Sequence, residues 1–294
     1  MGFIAKMTEG RFAVTIELNP PRGVGMKRFW EEADMVRPYG DAFNVTDCQR
    51  SSMKTGPVGI CHLLEDTGME SVVQVTLRDR NRLAFQSELL SAYLLGIRNF
   101  LIVSGDHPLC GNHPDAEGVF DIDSTQGIHV ANMLKEGTDM VGNKLNKTPK
   151  EMNLGGALNP FSHLAELELI KAKKKVDQGA IFFQTQPVYD VKRFADFVSG
   201  FKGLKCFVLA GVLPLTSHKT AEILKYKVPG IHLPDDVFHR VRSASDPIHE
   251  GVALARETIE QLKGITSGIH MMSVDSIEYF PKILEGFTDK QDPS

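Results

Sequence analysis

The stretch AVTIELNPPRG, residues 13–23, passes from an apolar segment directly into a polar loop that contains two prolines. Its β-branched residues are typical of a β-strand, and Pro20 and Pro21 end that strand because proline cannot donate to a strand ladder. Glu17 therefore lies at the carboxyl end of the first predicted strand. Eight apolar segments of strand length occur along the chain, at residues 12–18, 42–46, 72–77, 99–104, 153–158, 181–186, 206–212 and 268–274.

Helix-length segments such as RLAFQSELLSAYLLGI and IHEGVALARETIEQLKG separate most of these strands. Alternation of strands and helices favours a parallel sheet. The 294 residues match an eightfold α/β barrel, for which about 250 residues are typical. We therefore predict an α/β fold, a (β/α)8 TIM barrel, as a single domain over residues 1–294, with an open doubly wound sheet as the alternative.

No linker or low-complexity tract divides the chain. The Gly-, Asn- and Asp-rich region at residues 110–150 predicts a long excursion between a strand and a helix, with a short helix near residues 127–136.

The amino-acid composition weighs against several classes of binding partner. The formal net charge is -4, from 37 acidic and 33 basic residues, which gives no electrostatic footprint for nucleic acid or an anionic membrane. The four cysteines form no CxxC pair, so we expect no disulfide framework and a cytoplasmic location. No apolar run approaches the roughly 20 residues of a membrane span. A small-molecule ligand is favoured.

Polar residues cluster where the predicted strands end, and in a barrel the active site is built from those ends. Glu17 and Asp106 follow two different strands, and two carboxylates in different environments can divide acid and electrostatic roles. Gln184 and Gln186 offer paired donors and acceptors suited to an amide-bearing heterocycle. Taken singly, each of these residues could equally be a solvated strand-end group or a loop hydrogen bond.

Two further motifs leave alternatives open. VTLRDRNR supplies Arg78, Arg80 and Arg82 near a strand end, which suits either a phosphate or a solvated basic loop. DHPLCGNH brings His107, Cys110 and His113 into one turn, but no fourth ligand is evident, so we predict no metal site. The chain lacks GxGxxG, GxxxxGK[ST], HExxH and GxSxG motifs, which weighs against a Rossmann dehydrogenase, a P-loop enzyme, a zincin and an α/β hydrolase.

The segments IELNPPRG, FNVTDCQRS, VTLRDRNR, SGDHP, ALNPFSH, KKKVDQGAIFFQTQ and AGVLPLTS follow one another in an order and spacing that resemble the methylenetetrahydrofolate reductase family. These are flavin-dependent barrel enzymes of one-carbon metabolism. The resemblance covers nearly the whole chain. It implies reduction of 5,10-methylenetetrahydrofolate to 5-methyltetrahydrofolate by ping-pong hydride transfer through flavin N5.

The resemblance also implies roles for individual residues. Glu17 matches the catalytic glutamate and general acid, Asp106 the aspartate beside flavin and substrate, and Gln186 the glutamine that binds the pterin. The cofactor is expected to be FAD, with FMN left open. The implied flavin contacts are Thr46, Gln74, Thr76, Ser104, Gly105, Asp106, Asn159, His163 and Lys175, with Asp123 or Ser124 near the ribityl chain and phosphate.

Several positions depart from the family pattern. Gln74 and Ser104 replace residues found in many bacterial members, and Ser276 lies near the place of a substrate-contacting arginine. The chain looks like the compact subunit of anaerobes with an acetyl-CoA pathway. The electron donor is therefore either NAD(P)H or a partner subunit, and both homo- and hetero-oligomers are compatible with the sequence. Two other functions stay open: a flavin-free, pterin-binding barrel that transfers methyl groups, and a non-catalytic scaffold subunit.

Overall fold

The computed structural model describes residues 2–228, 230–274 and 276–288. Its strands are β1 (Ala13–Leu18), β2 (Ala42–Val45), β3 (Ser71–Thr76), β4 (Asn99–Val103), β5 (Asn153–Leu158), β6 (Phe182–Pro187), β7 (Phe207–Val212) and β8 (Gly268–Met271). Its α-helices are α1 (Phe3–Thr8), α2 (Lys27–Val36), α3 (Pro57–Asp66), α4 (Arg82–Leu94), α5 (Ser124–Glu136), α6 (Ala165–Asp177), α7 (Val191–Ser199), α8 (His218–Tyr226), α9 (Asp235–Ser243), α10 (Pro247–Leu262) and α11 (Phe280–Leu284).

The eight strands form a closed barrel in sequence order, and β8 pairs with β1. Every neighbouring pair is parallel. The predicted TIM barrel is confirmed, and the open doubly wound sheet is wrong because pairing of the first and last strands leaves no sheet edge. Each of the eight predicted strand segments overlaps an observed strand, with ends that differ by up to three residues, and the predicted short helix lies within α5.

The strands have two different faces because successive side chains point to opposite sides. The outward residues, such as Ile16, Val75 and Ile102, pack with the surrounding helices in one large core. The inward residues near the amino-terminal ends of the strands form a separate apolar cluster with α1. That inner cluster consists of Phe3, Met7, Ala13, Ala42, Val72, Leu101, Phe182 and Leu209.

Helix α1 closes the amino-terminal end of the barrel. Phe3 is fully buried, and its ring lies 5.4 Å from that of Phe182 in an edge-on arrangement. Glu70 accepts hydrogen bonds from the Phe3 backbone N–H and from Asn99 Nδ2, both at 3.0 Å. Apolar packing and satisfied polar groups together hold this end shut.

Among the helices that the structure describes, none is long and apolar enough to cross a membrane.

Candidate active site

The barrel interior changes from apolar to polar toward the carboxyl ends of the strands. Thr15, Asn44, Gln184 and His270 are each at most 3% exposed and form a polar layer above the apolar cluster. The next inward positions are Glu17, Thr46, Thr76 and Gln186, at the mouth. The interior therefore becomes polar where a barrel builds its active site.

Glu17 is a buried carboxyl at the mouth, only 2% exposed. Gln49 Nε2 lies 3.3 Å from each of its two oxygens, and Asn19 Nδ2 lies 3.3 Å from Oε1. Burial raises the pKa of Glu17 to about 7, against the lowering effects of Gln49, Asn19 and the nearby Lys54 charge. Near neutral pH the group is present in both protonation states, so it can donate or accept a proton.

The Asn19 amide is oriented by its own neighbours. Thr46 Oγ1 and Lys54 Nζ each donate to Asn19 Oδ1 at 3.0 Å. With its oxygen occupied, the amide turns its NH2 group toward Glu17. The chain beyond it is tied down, since Thr55 N donates to the Pro21 carbonyl at 2.9 Å. The loop that follows β1 thus fixes the direction of one donor to Glu17.

His270 faces Glu17 from the last strand, with Nε2 4.0 Å from Glu17 Oε2. Its Nδ1 lies 3.0 Å from Thr15 Oγ1, and Thr15 Oγ1 accepts from Gln184 Nε2 at 3.3 Å. Burial lowers the pKa of His270 to about 3. The proximity suggests an ion pair, but this imidazole is neutral at physiological pH, so the contact is between a neutral base and a carboxyl that titrates near 7.

Thr15 and His270 were not predicted from the sequence. Each lies inside a strand, where a polar residue between apolar neighbours is taken for part of the buried core. The alternation of side chains along a strand could have indicated them, because it places both on the inner face of the barrel. The pairing of β1 with β8 sets them directly opposite each other. Gln49, Asn19 and Lys54 were missed because loop conformation decides where their side chains point.

Asp106 lies in the loop after β4 and is exposed. Its Oδ2 accepts from the Arg50 backbone N–H at 3.0 Å. The neighbouring Gly105 has φ +83°, and a Cβ there would lie 3.1 Å from the Cβ atoms of Thr76 and Arg78. Asp106 and Glu17 therefore contact consecutive residues of the same loop, Arg50 and Gln49.

The other expected cofactor contacts on β2 to β4 also lie at the mouth. They differ in their hydrogen bonds and in their exposure. Thr46 donates its hydroxyl to Asn19, and Thr76 donates its hydroxyl to Asp47 at 2.9 Å. Gln74 is half-buried and Ser104 is exposed.

The expected contacts on the β5 side lie around the end of that strand. Lys175, on α6, is buried and donates to the Ala157 carbonyl at 3.1 Å, and burial lowers its pKa. Asn159 Oδ1 accepts from the Phe161 N–H at 3.1 Å, and His163 is exposed in the following loop.

Asp123 and Ser124 lie at the start of α5. The Asp123 carboxylate accepts from the Thr125 and Gln126 backbone N–H groups at 2.8 Å, and Gln126 Oε1 accepts from the Asp123 N–H at 2.9 Å. This is a capping box. In this structure the Asp123 side chain therefore caps the start of α5.

The two glutamines of β6 differ in depth. Gln186 is half-buried at the end of the strand, whereas Gln184 is 3% exposed within the polar layer. Gln184 Oε1 and both side-chain atoms of Asn44 have no hydrogen-bond partner among the described residues. Of the two glutamines, Gln186 is the one placed to meet a ligand at the mouth.

The three arginines of VTLRDRNR all pair with carboxylates of the chain itself. Arg78 is 3% exposed and donates to both oxygens of Asp79, at 2.5 and 2.7 Å. Arg80 pairs with Asp47 at 2.6 Å and also with Glu88, and Arg82 pairs with Asp121 at 2.8 Å. Arg78 and Arg80 are thus held by internal carboxylates, whereas Arg82 pairs with Asp121 and is also exposed to solvent.

Across residues 2–228, 230–274 and 276–288, no three His, Cys, Asp or Glu side chains are gathered closely enough to hold a metal ion. His107 instead accepts from the Leu109 N–H at 3.3 Å, and His113 lies 2.9 Å from Asn112.

Known proteins resemble this chain in sequence and in fold. It is 26% identical over 226 residues to 5,10-methylenetetrahydrofolate reductase of Pectobacterium carotovorum subsp. carotovorum, covering 72% of this chain and 67% of that protein. It is 24% identical over 295 residues to methylenetetrahydrofolate reductase (NADH) 1 of Arabidopsis thaliana, covering 92% of this chain and 48% of that protein. The chain thus spans about two thirds of the bacterial relative and about half of the plant relative.

A solved structure shares the barrel fold. It is an uncharacterized protein from Clostridium thermocellum, described as binding two copies of 5-methyl-5,6,7,8-tetrahydrofolic acid, with a TM-score of 0.63, 16% identity and 96% coverage of each chain. The family model for methylenetetrahydrofolate reductase matches residues 3–288. This chain therefore belongs to the methylenetetrahydrofolate reductase family.

Proposed function

We propose that this chain catalyses the reversible, flavin-dependent reduction of 5,10-methylenetetrahydrofolate to 5-methyltetrahydrofolate in a ping-pong sequence, with Glu17 as the general acid. The observation that carries the proposal is a carboxyl with a pKa raised to about 7, 2% exposed, at the mouth of a barrel of this family. A general acid works best when its pKa lies near the operating pH. The folate ligand of the Clostridium thermocellum protein agrees with the proposed substrate class.

The rim of the barrel fits a flavin. Gly105, with φ +83° and the side chains of Thr76 and Arg78 packed against it, adds no side chain of its own to the rim. Gln74 and Ser104 offer an amide and a hydroxyl at the same rim, which suit the donors and acceptors of a flavin ring. A bound flavin, FAD or FMN, would supply hydride exchange with the one-carbon unit at its N5 atom. The residues proposed to hold it are Thr46, Gln74, Thr76, Ser104, Gly105, Asp106, Asp123, Ser124, Asn159, His163 and Lys175.

Glu17 would give its proton to the folate nitrogen that leaves the one-carbon unit as the five-membered ring opens. Asn19 and Gln49 would then stabilise the resulting carboxylate, because both donate to its oxygens. His270, 4.0 Å away and held neutral by burial, would not take up that proton in place of the substrate.

Asp106 and Gln186 would act on the substrate rather than on the proton. The Asp106 carboxylate would stabilise the cationic one-carbon unit, and a preorganised group of this kind contributes about 3 kcal/mol. Gln186 would pair with the amide edge of the pterin, since a glutamine offers both a donor and an acceptor.

The proposal is tested by anaerobic titration of the purified protein, loaded with flavin, with 5-methyltetrahydrofolate. We expect the flavin absorbance to bleach as the folate is oxidised, which the reversible reaction requires. A protein that binds methyltetrahydrofolate but no flavin would favour the methyl-transferring barrel, and one that binds neither would favour the scaffold. Either result would refute the proposal.

The electron donor is a separate part of the proposal. Ser276, near the place of the family's arginine, is fully buried, and Gln74 and Ser104 also depart from the family pattern. We therefore expect slow reduction by free NADH and a need for an electron-delivering partner subunit. Stopped-flow mixing with NADH decides this: bleaching at an ordinary turnover rate, on the order of 10 per second, would show that no partner is needed.

A further inference from the structure

The loop after β2 has an unusual backbone. Cys48, Arg50 and Ser51 have φ values of 43°, 55° and 50°, in the left-handed region. Residues other than glycine rarely adopt this conformation, so each occurrence strains the backbone. Such strain persists only where surrounding structure enforces it.

The loop after β4 enforces it here. Ser51 Oγ donates to the carbonyls of Asp106 and His107 at 2.7 and 3.1 Å, and Arg78 Nη1 donates to Ser51 Oγ at 2.9 Å. Gly111 passes so close that a Cβ on it would lie 1.8 Å from the Ser51 carbonyl oxygen. The two loops are therefore interlocked, and only glycine fits at the point of contact.

The strained loop presents two donors in consecutive residues. The Gln49 side chain reaches both oxygens of Glu17 at 3.3 Å, and the Arg50 backbone N–H reaches Asp106 at 3.0 Å. A regular loop conformation would turn these two donors elsewhere, because the positive φ values set the direction of the chain on either side of Gln49.

We propose that Gln49 is a positioning residue, held by the strained β2–α3 loop, which orients the Glu17 carboxyl and stabilises its ionised form. Other groups also face Glu17: Asn19 from the loop after β1, Lys54 from further along the β2–α3 connection, and neutral His270 from β8. Of the side chains described around Glu17, Gln49 is the one that donates to both oxygens. It also opposes burial most strongly among the groups that lower the pKa of Glu17.

The test replaces Gln49 with methionine, which keeps the length of the side chain and removes the donor. We expect the pKa of Glu17 to rise by about one unit, because hydrogen bonds to the ionised form are lost. The pKa is read from the carboxyl 13C shift of glutamate-labelled protein, with Glu17→Gln used to assign the signal. Gln261→Met, on the exposed surface of α10, is the matched control and should leave the titration unchanged.

A second variant should displace the Gln49 side chain without changing that residue. Gly111→Ala pushes on Ser51 and should displace the loop, so it should raise the pKa of Glu17 in the same direction. If Gly111→Ala does not fold, Gln49→Met alone decides. An unchanged Glu17 titration in Gln49→Met would overturn the inference.

The catalytic consequence rests on the proposed function: the alkaline limb of the pH profile for folate turnover, where Glu17 loses its proton, should move to higher pH with the pKa. The NMR titration needs no turnover. A wild-type protein without folate activity would therefore refute the function while leaving the positioning role of Gln49 to be judged on the titration.

Discussion

The two ends of the barrel each hold a buried or half-buried glutamate whose pKa is raised by burial, but they use it differently. Glu70, at the amino-terminal end, accepts from the Phe3 N–H and Asn99 Nδ2 at 3.0 Å and so ties α1 to the sheet. Glu17, at the mouth, has longer contacts of 3.3 Å with side chains of two loops. A glutamate carboxyl thus links a helix to the sheet at one end, and at the other end it has a pKa near neutral pH.

The two ends of the barrel also differ in how completely their buried polar groups are hydrogen-bonded. Lys6 donates to both oxygens of Asp41 at the amino-terminal end, at 2.9 and 3.1 Å. In the polar layer below the mouth, Asn44 and Gln184 keep side-chain atoms without partners among the described residues. Since buried polar groups are normally paired, unmet hydrogen-bonding capacity marks the end of the barrel that is built for something other than stability.

The largest expected effect on stability lies at the amino-terminal end. Phe3→Ala removes a fully buried ring that packs on Phe182, so we expect a loss of about 3–5 kcal/mol in the free energy of unfolding. Urea denaturation measures it. Because the mouth is built independently, the pKa of Glu17 should not move in this variant. A loss below about 1 kcal/mol would show that α1 does not close the barrel.

Substitution of Glu17 and Glu70 should separate their roles. In the folded protein the pKa of Glu17 lies near 7 and in the unfolded chain near 4.5, so its ionisation is resisted and stability falls as pH rises between these values. Glu17→Gln removes this cost. It should stabilise the protein by up to about 3 kcal/mol at pH 8 and by almost nothing at pH 4.

Glu70→Gln should behave in the opposite way at pH 8. There the ionised Glu70 accepts from Phe3 and from Asn99 with two different oxygens, which a glutamine cannot do, so we expect a loss of about 1–2 kcal/mol. Urea unfolding of both variants across pH 4–8 makes the comparison. If Glu17→Gln is destabilising at pH 8, the buried acid at the mouth is not under the strain described here.

A smaller effect is expected in the strained loop. Arg50 is exposed, has φ 55°, and contributes its backbone N–H to Asp106, which glycine retains. Arg50→Gly should therefore raise stability by about 1 kcal/mol. Arg22→Gly, in an exposed loop outside the left-handed region, should bring no gain and serves as the control. Equal effects of the two variants would argue against strain at Arg50.

Much of the fold follows from local sequence. Strand length, strand-helix alternation and proline stops placed all eight strands, because these are properties of short segments. Closure of the barrel did not follow, since the pairing of β1 with β8 joins residues more than 250 positions apart. No local pattern specifies such a contact.

The site was predictable only in part, for physical reasons that differ between residues. Glu17 and Asp106 could be placed because strand ends in a barrel converge on one mouth. Gln49 could not, because three left-handed residues set its direction. Arg78 and Arg80 were open to a phosphate role because their carboxylate partners, Asp79, Asp47 and Glu88, are revealed only by packing.

The proposed role of Glu17 as proton donor is tested by the rate at which the folate reoxidises the flavin. Reduced, flavin-loaded protein is mixed with 5,10-methylenetetrahydrofolate in a stopped-flow instrument, and the rate of flavin reoxidation is compared for wild type, Glu17→Gln and Glu70→Gln. We predict that Glu17→Gln binds flavin and is reduced by dithionite normally but reoxidises at least about 100-fold more slowly, while Glu70→Gln keeps the wild-type rate. Reoxidation of Glu17→Gln within about threefold of wild type, less than the range of general acid catalysis, would contradict the assignment.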